Sequence, residues 1–123
     1  AAIRLIIGFH GGNPKSRHWS SRTLVNLGTN IPPYDRVITI VWGAKPDSRG
    51  VVEKNHKLPR YILRAGAKNA KTWLHENIDL SRLYRELWPN DNAVLAQIIF
   101  VGLASASSVT PTTAKFRDLV LYR

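Results

Sequence analysis

The chain has 123 residues, 18 Lys and Arg against 8 Asp and Glu, a net charge of +10, 44% hydrophobic residues and no cysteine. Such a length fits one domain with its own core, and the apolar content excludes a disordered tail. The lack of cysteine excludes disulfides, thiolate metal sites and thiol nucleophiles, and no apolar run approaches the roughly 18 residues of a membrane span.

The first apolar run, Ile3-Arg4-Leu5-Ile6-Ile7-Gly8-Phe9, predicts a strand buried on at least one face and closed by His10-Gly11-Gly12-Asn13-Pro14. The chain opens at Ala1 and this run starts almost at once, so N-terminal strands of a longer domain are expected ahead of it. Residues 15–30 are polar and irregular, with a short strand expected at 22–27. Pro32 and Pro33 make 30–34 an extended connector. Arg36-Val37-Ile38-Thr39-Ile40-Val41-Trp42 is densest in β-branched residues and predicts the clearest strand. A long basic loop follows over 44–59, then a short strand, Arg60-Tyr61-Ile62-Leu63-Arg64.

Residues 71–78 alternate in polarity and predict a strand with Thr72, Leu74 and Glu76 opposite Trp73, His75 and Asn77. One helix is expected over 79–88. Asp79 caps its start, Leu80, Leu83, Tyr84 and Leu87 share one face, and Pro89 ends it. A long central strand is expected at 93–103, a Ser/Thr/Ala loop at 104–111, and a terminal strand with one wet face at 113–122. About six or seven strands with one short helix predict a single all-β domain, a β-sandwich of jelly-roll type, rather than a βαβ fold.

Residues able to do chemistry are sparse. His10, His18, His56 and His75 lack metal-ligand spacing and read as surface or core-satisfied histidines. No nucleophile elbow, P-loop or dinucleotide fingerprint occurs, and no helix is expected after Gly11-Gly12-Asn13 to hold a phosphate. Asp35, Asp47, Glu53, Glu76 and Asp118 lie mostly beside basic residues and are expected to neutralise a basic surface. These absences name no catalytic residue, no metal site and no cofactor, and weigh against an enzyme.

The candidates for recognition are cationic and aromatic. Lys54, Lys57, Arg60 and Arg64 lie in the basic stretch, Arg60 and Arg64 on one face of their strand, with Tyr61 between them. Trp19 stands in a polar loop as an aromatic anchor or a lid over the core, and His10 ends the first strand. Trp42, Trp73 and Trp88 are expected in the core.

Several stretches resemble a family of exported bacterial proteins, domain-of-unknown-function family 3047. They are Ile3-Arg4-Leu5-Ile6-Ile7-Gly8-Phe9, Ile38-Thr39-Ile40-Val41-Trp42-Gly43, Leu63-Arg64-Ala65-Gly66, Trp73-Leu74-His75-Glu76-Asn77-Ile78-Asp79-Leu80 with Tyr84-Arg85, Gly102-Leu103-Ala104-Ser105-Ala106-Ser107, and Ala114-Lys115-Phe116-Arg117-Asp118-Leu119. The resemblance spans nearly the whole chain, as the C-terminal part of a longer domain. It implies a galactose-binding-like β-sandwich and a periplasmic or extracytoplasmic location, and supplies no catalytic residues. The chain departs from the family at Ala106-Ser107-Ser108-Val109-Thr110, where acidic and Asn residues are usual, and in its more basic surface.

The leading expectation is therefore a non-catalytic accessory subunit or recognition module for an anionic or acidic protein partner or a larger complex. Three alternatives stand beside it: a carbohydrate-binding module using Trp19, Tyr34, Tyr61 and His10, a contact with a membrane surface without spanning, and part of an enzyme completed by an N-terminal segment. Nucleic acid is disfavoured, because Tyr61 alone interleaves the basic stretch as a stacking residue.

Overall fold

The computed structural model describes residues 3–16, 32–43, 45–54, 58–66, 71–105 and 115–121. Five strands form one mixed sheet: β1 (Ile3–His10), β2 (Arg36–Gly43), β3 (Val52–Glu53), β4 (Arg60–Ala65) and β5 (Gln97–Ser105), in the order β3-β4-β2-β1-β5. The one α-helix among the described residues is α1 (Leu80–Leu87). The β-rich class expected from the alternating, β-branched runs is thus present.

β1 lies between β2 and β5 and is antiparallel to both. β2 and β4 are parallel. The chain leaves β2, passes beyond the site of β4 to form β3, and returns along β4 as an antiparallel neighbour of β3. No α-helix is needed for this crossover, since β3 itself reverses the direction.

Side chains of both sheet faces are buried. On one face Ile7, Phe9, Ile38 and Ile40 pack under Leu83 and Tyr84 of α1. Ile6, Val37 and Tyr34 form a second cluster, packed by Leu58, Phe100 and Ala104. The alternation that separates the two sets is the two-residue period of a strand. Burying a side chain such as Ile38 contributes about 1.5–3 kcal/mol relative to leaving it in water.

α1 forms where expected. The Asp79 side chain accepts from the Arg82 backbone N–H at 3.0 Å, and Leu83 and Tyr84 face the sheet while Arg82 and Arg85 face water. The Trp88 backbone N–H donates to the Tyr84 carbonyl and the helix stops before Pro89. Phe9, Tyr84 and Trp88 then meet edge to face, with centroids 5.0–6.3 Å apart, an arrangement worth about 0.5–1.5 kcal/mol per pair beyond burial.

Four expectations are corrected. β5 begins at Gln97 rather than 93, because Ala93–Leu95 wind into a 3-10 turn closed by the Leu95 N–H on the Asn92 carbonyl. It is also an edge strand rather than a central one, paired among the described strands with β1 alone. Residues 73–78 form no strand, although Leu74, Glu76 and Ile78 are more buried than their neighbours. Residues 115–121 form no strand and stay exposed, and Asp118 adopts a φ of 54°, which breaks an extended run. The expectations at 22–27, at 106–110, and for Trp19, His18, His56 and Lys57 lie outside the described residues.

Candidate functional site

The strands have two ends of different chemistry. One end gathers His10, the start of β2 and the turn after α1. The other gathers the C-terminal ends of the parallel pair, with Trp42 beside Arg64 and Gly43 beside Ala65. Along the eight residues of β2 the two ends are about 23 Å apart.

At the first end a polar network is closed on itself. The Asp91 carboxylate accepts from Arg36 Nε at 2.8 Å, Arg36 Nη2 at 3.0 Å, Asn13 Nδ2 at 2.9 Å and the Tyr84 hydroxyl at 3.0 Å. Its side chain is only 3% exposed. The Arg36 bonds hold the Asp91 carboxyl below the usual carboxylate range against the opposing effect of burial, and the Asp91 bond raises the Arg36 guanidinium. Burial, reinforced by the bond to Asp91, pushes the Tyr84 hydroxyl well above its ordinary range. Trp88 covers the Arg36 guanidinium at 5.4 Å. Four segments are pinned here: the loop after β1, the start of β2, α1 and the turn that follows it.

Asp35 completes this end. It was expected to neutralise a basic surface, but it is buried, and its Oδ2 accepts from the backbone N–H of Gly11 at 2.6 Å and of Asn13 at 3.3 Å. The glycine-rich loop therefore turns its N–H groups onto an internal carboxylate, the position an external phosphate would need. Arg36 Nε and Nη2, Asn13 Nδ2 and the Tyr84 hydroxyl all turn to Asp91 inside the protein, so this end acts as a clamp.

The second end is open. Trp42, expected in the core, is 37% exposed, and its indole N–H donates to the Gly66 carbonyl at 2.7 Å. The turn Pro46–Ser48 packs against the same place: a Cβ on Gly43 would lie 2.7 Å from Ser48 Oγ, and one on Gly66 2.9 Å from Pro46 Cγ. Lys45 and Arg49 flank that turn, exposed and without an ion pair among the described residues. Arg64 stands in register with Trp42, and its Nε donates to Glu76 Oε1, leaving both terminal nitrogens of the guanidinium uncommitted among the described residues. An indole held at one edge, a half-used guanidinium and its carboxylate partner thus stand together, and the turn packed beside them is flanked by two exposed cations.

The structure scatters the residues singled out in the sequence. Arg64 lies at the open corner, while Arg60 lies toward the other end of β4 and pairs with Glu53 at 2.6 Å, with exposed Lys54 next to that pair. The two arginines do not share a face. A register shift between Val41 and Trp42 sets Arg60 opposite Thr39 and Arg64 opposite Trp42, strand positions of opposite parity. Tyr61 is partly buried and packs on the core, Tyr34 is buried, and His10 sits at the clamp end. Glu53, Glu76 and Asp118 do pair with Arg60, Arg64 and Arg117. Trp88 is half-buried as part of the core, whereas Trp73 is 57% exposed under Arg117.

Sequence reasoning missed Asp91 as the hub. Its signal is the polar run Asn90-Asp91-Asn92 between Pro89 and the apolar Ala93. Among the described residues no group of three or more His, Asp or Glu gathers as a metal site, and no helix is long and apolar enough to cross a membrane. Compared with family models, curated proteins and solved structures, the chain matches none.

Proposed function

We propose that this domain is a non-catalytic recognition module, an accessory subunit or attachment domain, that binds an anionic partner at the Trp42 corner. The observation that carries this reading is the conjunction of an exposed, hydrogen-bonded indole with Lys45, Arg49 and the uncommitted end of Arg64. Aromatic and Arg side chains fixed in place are the groups that anchor partners. Most carboxylates are consumed internally. Asp35 and Asp91 are bound within the clamp, Asp79 caps α1, and Glu53, Glu76 and Asp118 each pair with an arginine. Among the described residues Lys15, Lys45, Arg49, Lys54, Lys71, Arg82, Arg85 and Lys115 are exposed, and such a surface draws anions from solution.

Burial of both sheet faces supports a layered sandwich of jelly-roll or galactose-binding-like type. The resemblance to exported proteins of domain-of-unknown-function family 3047 supports a periplasmic or extracytoplasmic location. A saturated polar network at one end and an open, non-nucleophilic corner at the other support binding over catalysis.

The test uses the purified protein and a panel of soluble polyanions: polyglutamate, polygalacturonate and duplex DNA. Binding to at least one should weaken steeply as salt rises from roughly 50 to 200 mM. Lys45→Glu with Arg49→Glu should weaken it about tenfold, and Arg82→Glu with Arg85→Glu on the outer face of α1 much less. No binding to any polyanion, or equal loss from both pairs, contradicts the proposal.

A further inference from the structure

Resting on the anionic-partner reading, the geometry points to the chemical class of that partner: we propose an acidic polysaccharide, with a pyranose ring stacked on Trp42 and sugar carboxylates held by Lys45 and Arg49. The first support is the state of the indole. Its N–H is already satisfied by the Gly66 carbonyl, which fixes the ring and leaves its exposed surface to offer apolar area rather than a hydrogen bond. A ring held this way suits a flat ligand with C–H groups on one side, because ordering of the side chain has been met in advance.

The second support is Glu76. A carboxylate bonded to Arg64 beside the platform disfavours a ligand whose only polar groups are anionic, such as a phosphate backbone. Sugar hydroxyls fit the pair better. They donate to Glu76 and accept from the free terminal nitrogens of Arg64, so both residues are used without leaving a charge unmet. The third support is spacing. Lys45 and Arg49, both exposed, lie on either side of the turn that packs on Gly43, the residue after Trp42, so two cations follow the aromatic within seven residues of chain. A polymer carrying one carboxylate per ring presents its groups in this pattern: apolar ring faces with charges along the rim.

Affinity electrophoresis of the folded protein through gels holding polygalacturonate, a neutral β-linked glucan, or polyglutamate separates the outcomes. Polygalacturonate is expected to retard the protein most. Trp42→Ala should weaken that retardation by about 30-fold, the scale of losing an aromatic anchor, and Glu76→Gln should weaken it less. Should Trp42→Ala alter the fold, Trp42→Phe keeps a ring and should retain most of the binding, while Lys45→Glu with Arg49→Glu abolishes the preference for polygalacturonate over the neutral glucan. Equal retardation by polyglutamate, unaffected by Trp42→Ala, overturns the polysaccharide assignment and leaves the anionic-partner reading standing. Failure of every polyanion to retard the protein removes both.

Discussion

Replacing Asp91 with Ala probes the clamp. The carboxylate is 3% exposed and the Arg36 side chain 25% exposed, so the substitution leaves a mostly covered guanidinium without its counter-charge. It also strips partners from Asn13 Nδ2 and the Tyr84 hydroxyl. Removing one member of a buried ion pair costs about 3–5 kcal/mol. Water reaches Arg36 over part of its surface, which places the loss near the lower figure, about 3 kcal/mol. For a domain of this size that lowers Tm by roughly 10–15 °C. Circular dichroism melts and urea titrations measure both numbers. The double variant Asp91→Ala with Arg36→Met should recover part of the loss, because the orphaned charge goes with its partner. A single variant within about 0.5 kcal/mol of the parent, the range of ordinary surface substitutions, would refute the clamp.

Four further outcomes follow from the same geometry. The folded Asp91 carboxyl titrates below its unfolded value, so its contribution is complete above about pH 4 and is lost as pH falls through the folded value; Asp91→Asn should flatten that acid limb of a urea-stability profile. Tyr84 titrates above its unfolded value, so its contribution holds below about pH 10 and declines as pH rises past it, and Tyr84→Phe should blunt the alkaline loss. Gly8→Ala should cost about 1–3 kcal/mol in chemical denaturation, since the new Cβ would lie 2.2 Å from the Phe100 ring across the β1–β5 bulge, and Asp79→Ala should cost about 1 kcal/mol through the lost cap on Arg82 N–H.

What the sequence made legible follows from how local each signal is. β1, β2 and β4 carry dense β-branched or alternating runs, and α1 has a cap, an apolar stripe and a proline stop, so each could be placed from its own residues. Pairing is not local. The alternation of 71–78 is real in its burial, but an alternating run specifies two faces and not a neighbouring strand, and no described strand lies along it. The same limit applies to 115–121, where Asp118 turns the backbone away from an extended path. The parallel placement of β4 depends on two residues, Val52 and Glu53, too short a strand to stand out within a basic loop.

The site was legible as chemistry and not as position. Excess Lys and Arg in 45–64 was evident, yet which of them remain free depends on where Glu53 and Glu76 fold back, and those carboxylates take Arg60 and one side of Arg64. Trp42 closes a strongly apolar run and was read as core. It is exposed because α1 covers the opposite end of the sheet, over Phe9, Ile38 and Ile40, leaving the C-terminal end of β2 open. Asp91 and Asp35 carry no pattern that distinguishes a hub from a surface acid, since apart from Tyr84 their donors come from residues 22 to 78 positions away.

The recognition corner itself is tested most directly by nuclear magnetic resonance titration of isotopically labelled protein with short polygalacturonate fragments. The account predicts that the Trp42 indole N–H signal and the amides of residues 42–50 and 64–66 move together and saturate, while Arg82, Arg85 and the Asp91 clamp stay in place. Shifts spread evenly over the cations of α1 and Lys15, with the Trp42 indole signal unmoved, would contradict it.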